Sequence, residues 1–400
     1  MRRILLLALG SFALGLDAYV MAGLLPVVAG DLHVSASAAG QMVTVFTLCY
    51  ALAAPVFATV LAGRPARVIL SLALTVFTLA NALSALSTSL TMLLLARAIA
   101  GIGAGIYSPL AAATAASLSP AERRGRGLAI VMGGMSIGTV VGVPVGVVLA
   151  HHISWRGTLW LVTALGFIAL LGAATMLPKL PASPPPALKE RIGVLTNRRV
   201  APIALVSFLA GIASLGLYTY LASFLSDSAG LSDPTGYLWA WGIGGVVGSL
   251  CVGPLVDRTK KAYGIATVIF VLLVLSEAVL PGVASTHWGL ILPLIVWGAS
   301  GWALQVPQQH ELIAAEPEHS SVAVSLNSSA VYLGSAAGSA LGGLVLASGV
   351  SPSGLPYCTA GVALLALVLH LTLVRWGRRR SMAAQGVAPV AAGVEEKVSA

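Results

Sequence analysis

Apolar residues fall along this chain in twelve long stretches divided by short polar turns. The stretches cover 4–30, 38–62, 68–87, 90–117, 127–150, 158–178, 200–225, 236–256, 262–282, 288–309, 322–348 and 355–376. Each is close to the roughly 20 apolar residues that a helix needs to cross a bilayer. Backbone groups in lipid must be satisfied within the protein, so the pattern predicts helices. The expected fold is an all-α membrane protein with twelve transmembrane helices. The opening run MRRILLLALGSFALGLDAYVMAGLLP begins like a signal peptide, but it is too long and lacks a small-residue cleavage site before a soluble domain. It reads as the first span.

The longest polar interruption, Lys179 to Arg199, contains SPPP at 183–186 and five basic residues. It reads as a cytoplasmic linker (179–199) between two six-helix bundles, 1–178 and 200–376. From 377 to 400 the chain is basic and then rich in Ala, Gly and Val, as expected of a disordered cytoplasmic tail. The two halves echo each other. Gly134, Gly138 and Gly142 in span 5 recur as Gly334, Gly338 and Gly342 in span 11, an offset of 200 residues. The basic turn at Arg64 and Arg67 recurs at Arg258, Lys260 and Lys261. Parallel repeats of this kind predict a pseudo-symmetric transporter with its site near the midplane, between the halves.

Charge fixes the expected orientation. With the N-terminus inside, 20 of the 22 lysines and arginines fall in inner segments; Arg156 lies in an outer loop and Arg97 within a span. Positive residues stay inside, so both termini are expected in the cytoplasm and the chain in the cell membrane. The inner loop at 310–321 carries Glu311, Glu316 and Glu318 without a basic residue, but acids weigh little in this rule.

Composition narrows the classes. The chain is 58% hydrophobic and 9% charged, against about 25% charged in soluble domains. The formal charge of +9 sits in short clusters between spans, a pattern of membrane topology that excludes a nucleic-acid groove. Cys49, Cys251 and Cys358 are scattered, with neither disulfide nor metal spacing. His151-His152 is a loop pair with no metal partners. Gly101-Ile-Gly103-Ala-Gly105 lies inside an apolar span without the βαβ context of a dinucleotide site. No metal, cofactor or enzyme activity is expected.

Two charges stand at depth. Asp17 lies near the middle of span 1. Arg97 lies in span 4, about 10 Å from its outer end at 1.5 Å per residue. A charge there costs about 2.5–3.5 kcal/mol on insertion scales, so it must face the bundle interior and a partner. Asp17 is the candidate to take up and release a proton and Arg97 its electrostatic partner; a structural ion pair between them is the alternative. Glu277, near the outer end of span 9, is expected to reach the interface. Gln305, Gln308 and Gln309 either line a cavity or snorkel from the inner end of span 10. Asn81 and Asn327 are expected to bond between helices. Tyr19, Met21, Phe46, Tyr50, Tyr107, Tyr218, Tyr220, Trp239, Trp297 and Gln305 are the substrate-cavity candidates, with Trp241 and Trp302 beside them; packing or an interfacial belt is the alternative for each aromatic.

Gly134, Gly138, Gly142 and Gly146, with Pro144, form a ladder in span 5. Each four-residue step drifts only about 40° around a helix, so the glycines share one side and admit a close neighbour. We expect span 5 to use this side against the opposite half, and span 11 mostly to pack.

These features resemble the major facilitator superfamily, in particular its twelve-span drug:proton antiporters, which include chloramphenicol efflux proteins and arabinose-efflux-like permeases. The resemblance covers residues 1–376. Leu93-x-x-x-Arg97-x-x-Ala100-Gly101-x-Gly103-Ala104 is similar to the span-4 motif whose arginine that family links to proton coupling. Gly133 through Gly146 is similar to the span-5 antiporter motif, with the usual Gly-Pro split as Gly142-Val143-Pro144. Ser154-Trp155-Arg156-x-x-Leu159-Trp160 resembles the segment entering span 6, and Gly15 to Pro26 the span-1 motif of the efflux branch. Gly253-Pro254-Leu255-Val256-Asp257-Arg258 resembles the cytoplasmic gate motif. Its first copy lacks the acid, which would fall near Ala62. Many relatives place Glu at the position of Ala18, next to Asp17 here.

The resemblance implies a proton-coupled exporter of small, largely apolar compounds such as antibiotics, working by alternating access as a monomer in the lipid bilayer. Asp17 and Arg97 would couple protons; Gly134, Gly138, Gly142, Pro144, Gly146, Asp257 and Arg258 would serve gating and packing. A sugar or metabolite exporter and a non-transporting membrane receptor are the competing functions.

Overall fold

A computed structural model of the chain describes residues 2–61, 63–120, 123–178, 193, 194, 196–231, 233–317 and 319–386. Twelve of its helices are long and apolar enough to cross a membrane: α1 (Arg2–Asp31), α2 (Ala36–Ala53), α3 (Ala66–Ala85), α4 (Leu90–Ser117), α5 (Arg126–His152), α6 (Trp155–Met176), α7 (Val200–Thr219), α8 (Thr235–Thr259), α9 (Ala262–Val283), α10 (His287–Ala315), α11 (Val322–Ala347) and α12 (Pro352–Arg375). Each corresponds to one predicted apolar stretch. Span 7 breaks at Tyr220, and a short helix, Leu221–Ala229, completes it. Most of the expected linker, residues 179–192 and 195, and residues 387–400 of the expected tail lie outside the described residues. The last helix continues to Gly386, into the segment expected to be a disordered tail.

Helices α1–α6 form one bundle and α7–α12 the other. In lipid, apolar side chains gain little by leaving apolar tails, so helices associate through close backbone approach and hydrogen bonds. The chain places glycine where backbones meet. A Cβ on Gly101 or Gly105 of α4 would collide with the carbonyl of Phe46 or Tyr50 on α2. In the second bundle, Gly244 and Gly248 of α8 meet the carbonyls of Ile295 and Ala299 on α10 in the same way. The α2–α4 and α8–α10 contacts are thus one device used twice. Large apolar residues such as Leu79, Phe167, Leu275 and Leu365 of α3, α6, α9 and α12 are left exposed, as lipid-facing positions should be.

The glycine ladder takes a different partner from the one expected. Gly134 and Gly138 face the carbonyls of Ala8 and Phe12, Gly142 faces Leu16, and Gly146 faces Val20, all on α1 of the same half. Gly15 of α1 returns the contact against the Met135 carbonyl. In the second half Gly334 and Gly338 of α11 meet the carbonyls of Phe208 and Ile212 on α7, and Gly342 meets the Tyr220 ring. Both ladders therefore bind each half together. The reason is geometric: glycines mark where backbones come closest, and the closest neighbours lie within a bundle. Span 5 does reach the opposite half, but through Val140, which packs over Gly242 of α8.

Between Gly138 and Gly142 the helix α5 widens into a π turn just before Pro144. Proline has no N–H to offer the Val140 carbonyl, and its ring crowds that oxygen. An extra residue in the turn relieves the crowding.

Span 11 also does more than pack. Across the halves, Ser37 Oγ donates to the Gly343 carbonyl at 2.6 Å, and Ser339 Oγ donates to the Gly40 carbonyl at 3.1 Å. The Tyr220 hydroxyl supports this joint by donating to the Ser339 carbonyl at 2.7 Å. These bonds join α2 to α11 at the end remote from the chain termini. At that same end His151 of α5 faces Asp233 of the opposite half, 4.0 Å away. On the terminus side, Asn197 Nδ2 donates to Glu316 at 2.6 Å and His319 lies 3.1 Å from its other oxygen. The His319 and Asn197 contacts hold the Glu316 carboxyl below the usual carboxylate range.

Candidate functional site

Asp17, Asn81 and Arg97 come from α1, α3 and α4 and meet inside the first bundle, all fully buried. Arg97 Nη1 donates to Asp17 Oδ1 at 2.5 Å, and Nη2 donates to the Asp17 backbone carbonyl at 3.3 Å. Asn81 Nδ2 donates to Asp17 Oδ2 at 3.3 Å. The guanidinium carbon lies 4.2 Å from the centre of the Phe46 ring on α2, a cation–π contact. Four helices thus close around one ion pair. Phe46, expected in a substrate cavity, is instead the floor beneath Arg97. The direct Asp17–Arg97 contact, left open by the helix depths alone, is present, and Asn81 makes the expected bond between helices.

A cavity of about 380 Å³ lies beside this cluster, between the bundles. That volume suits a small molecule. Its lining runs from Tyr19 on α1, through Met132, Met135 and Ser136 on α5, to Ser207, Ala210, Gly211 and Ser214 on α7. The wall formed by α10 is the longest, from Gly301 and Trp302 to Gln305, Gln308 and Gln309; Tyr332 of α11 completes it. The second bundle supplies most of this surface. The cavity extends towards the terminus-side end of α10, whereas the joints between the halves lie at the other end.

Aromatic rings cap the cavity at depth. The Tyr19 ring lies 5.7 Å from that of Tyr218 and 6.0 Å from that of Trp302, and Tyr218 stacks on Trp241 at 4.2 Å. Tyr50 and Tyr332 face each other across the halves with ring centres 4.2 Å apart. Trp297 is buried behind the lining, where its Nε1 donates to Ser214 Oγ at 2.9 Å.

The other expected cavity residues divide. Tyr19 and Gln305 line the cavity, and Gln305 accepts from Asn327 Nδ2 at 3.0 Å, the bond expected of Asn327. Tyr218 belongs to the aromatic cap. Tyr107 donates to the Leu7 carbonyl at 2.9 Å within the first bundle, and Met21 is core. Tyr220 belongs to the joint at the remote end. Trp239 is half-buried and outside the described lining. Gln308 and Gln309 line the cavity rather than snorkelling. The cavity residues Met132, Met135, Ser207 and Ser214 were not singled out in the sequence. Nothing about a serine or methionine in an apolar run tells which way its helix is turned.

Two acids depart from expectation. Glu277 does not reach the interface; it is fully buried, with Thr359 of α12 beside it. Its position falls on the side of α9 that packs inward. Glu311 is not in a loop, because α10 continues through it to Ala315, and it is buried. Asp257 and Arg258, expected at a gate, are exposed at the terminus-side end of α8. Asp257 takes part in none of the ion pairs found among the described residues. Ala62, where the first gate copy would carry its acid, lies outside them. No cluster of three or more potential metal ligands occurs among the described residues.

Residues 7–338 match the sequence profile of the Major Facilitator Superfamily. The chain is 30% identical to the inner membrane transport protein YdhP of Escherichia coli over 368 residues, 92% of this chain and 94% of that one. It is 28% identical to a chloramphenicol resistance protein of Streptomyces lividans over 343 residues, covering 83% of this chain and 86% of that one. Among solved structures, the nucleoside transporter NupG superposes with a TM-score of 0.72 over 93% of this chain and all of that one, at 15% identity. The human organic anion transporter MFSD10 superposes with a TM-score of 0.66 over 92% of this chain and 99% of that one, at 19% identity.

Proposed function

The chain belongs to the Major Facilitator Superfamily, and from that premise we propose that it is a proton-coupled exporter of small, largely apolar compounds, antibiotics among them. It sits in the cytoplasmic membrane with both termini inside, as the distribution of Lys and Arg favours. The cavity then faces the cytoplasm, and the joints at Ser37–Gly343 and Gly40–Ser339 close the outer face. Residues 1–178 and 200–376 rock against each other to expose the cavity on alternate sides.

The observation that carries this reading is the spacing of Asp17 and Tyr19 on α1. Two residues apart, they point about 200° apart around the helix. One meets Arg97 inside the bundle and the other lines the cavity. A proton taken up by Asp17 neutralises the carboxylate and weakens its bond to Arg97. Arg97 also holds the Asp17 carbonyl, so the change acts on the α1 backbone directly beside Tyr19. Proton and substrate thereby bias the same helix from its two sides. The relative named for chloramphenicol resistance supports export as the direction.

In proteoliposomes with an imposed pH gradient, the wild-type protein is expected to move substrate against its concentration gradient. Asp17→Asn should reduce this by at least tenfold while retaining counterflow. Gradient-driven transport at the wild-type rate in Asp17→Asn would remove Asp17 from the proton path.

Alternating access gives a second expected result. A Cβ on Gly343 would stand 3.2 Å from Ser37 Oγ, close enough for a cysteine pair once the Gln41 amide and the Tyr220 hydroxyl, each 2.8 Å from that Cβ, give way. With Cys49, Cys251 and Cys358 replaced, oxidised Ser37→Cys/Gly343→Cys should lose transport and regain it on reduction. Undiminished transport in the cross-linked protein would show that this joint does not open.

The amides on α10 favour a metabolite exporter as a second reading. Thermal-shift assays with sugars against antibiotics separate the two.

A further inference from the structure

The cavity wall on α10 changes character along its length. Trp302 stands at its deep end, and Gln305, Gln308 and Gln309 follow towards the terminus side. The spacing of the three glutamines places them on one helix face. Gln308 is only 2% exposed, lines the cavity, and has a partner for neither Oε1 nor Nε2 among the described residues. Ser207 of α7 also lines the cavity, and its buried Oγ is likewise unpartnered. The Asn327 amide is committed to Gln305, which leaves Asn327 Oδ1 buried and unpartnered.

Leaving a buried polar group unpaired is costly, and native chains rarely tolerate several together. Here Gln308 and Ser207 line one end of a cavity whose other end is aromatic, and Asn327 is bonded to the lining residue Gln305. An amide offers donors and an acceptor in one plane, and a serine hydroxyl offers both. That set matches hydroxyl and amide groups. It supplies no counter-charge for an ammonium or a carboxylate, and no described lining residue is charged. Glu311, one turn further along α10, is buried beside Tyr263 of α9 and is not part of the described lining.

We infer that Gln308 and Ser207, with the Gln305–Asn327 pair behind them, form a subsite that hydrogen-bonds the hydroxyl or amide end of an uncharged substrate whose aromatic end packs against Tyr19, Trp302 and Tyr332. The inference rests on the reading of this cavity as the export site and narrows its substrate class. Gln308 lies six positions after Trp302, about 9 Å along the helix. The substrate therefore has an aromatic group and a neutral polar group about that far apart.

The test measures binding to the purified full-length protein in nanodiscs and transport in proteoliposomes. The uncharged probes are chloramphenicol and phenyl β-glucoside; the lipophilic cations are tetraphenylphosphonium and ethidium. At least one uncharged probe is expected to bind. Gln308→Met and Ser207→Ala should each weaken it about tenfold, the cost of a lost hydrogen bond, without lowering the melting temperature. Gln308→Asn should recover part of the loss, and Trp302→Ala should weaken the same probe. Wild-type affinity in both Gln308→Met and Ser207→Ala, with loss in Trp302→Ala, would overturn the subsite and leave the cavity in place. Binding of cations alone, abolished by Glu311→Gln, would overturn the substrate class while export stands. If no probe binds or moves, the export reading itself falls, and the subsite falls with it.

Discussion

Arg97→Ala is expected to abolish transport and to destabilise the folded protein by about 3–5 kcal/mol, the usual cost of stripping one partner from a buried ion pair. The size follows from what remains. Asp17 would keep only the Asn81 amide at 3.3 Å, in a fully buried site enclosed by four helices. The Asp17 carbonyl would lose its donor, and the Phe46 ring its cation. Loss of activity in this variant does not separate coupling from structure, but the double variant Asp17→Asn/Arg97→Gln does. It removes both charges and keeps polar groups of similar size, so most of the stability should return. Replacing a buried pair by neutral groups is often close to neutral for folding. Transport driven by a pH gradient should remain absent, while exchange of substrate across the bilayer persists. Melting curves and the two transport modes, measured on the same preparations, separate these effects. A double variant that pumps like the wild type would make the pair a structural clamp, the alternative that the sequence left open.

Much of this cluster was legible in the chain itself. A charge deep in an apolar run must turn inward and find a partner, so Asp17 and Arg97 stand out without a structure. Twelve apolar stretches and the repeat of the glycine ladder at an offset of 200 residues were enough for two six-helix halves. What the sequence could not supply was helix rotation. Tyr19 and Tyr107 are both tyrosines in apolar spans, yet one lines the cavity and the other ties α4 to the Leu7 carbonyl. Ser207 and Met135 carry no signal of their own. Glu277 misleads for the same reason: near a helix end the side chain can reach headgroups or turn into the bundle, and only the neighbouring helices decide. Gln308 lay between these cases. Its spacing with Gln305 and Gln309 marks a polar face, but whether that face meets lipid headgroups or a cavity depends on α7 and α11 opposite.

The glycine ladder leads to the second large effect: Gly138→Leu should abolish transport while leaving insertion into the membrane intact. A Cβ at Gly138 would run into the Phe12 carbonyl and lie 3.0 Å from the Leu16 amide nitrogen. Both are backbone atoms of α1 and cannot rotate away, so even Gly138→Ala should be harmful. Overpacking of this kind costs about 1–3 kcal/mol, occasionally more, when the surroundings are side chains that can adjust. Here a helix must move instead. The consequence reaches function because Gly138 opens the π turn, and Val140 within that turn packs over Gly242 of the opposite half. Pushing α5 away from α1 therefore disturbs this contact between the halves. It also shifts α1, whose residues 17 and 19 carry the pair and the cavity wall. Gly133→Ala is the control on the same helix, since nothing lies within 4 Å of a Cβ there. It should transport and melt like the wild type. Transport rates and membrane yield, measured for Gly138→Ala, Gly138→Leu and Gly133→Ala together, test the argument. Normal rates in both Gly138 variants would mean that α1 and α5 part easily, and the ladder would then be packing without a part in the cycle.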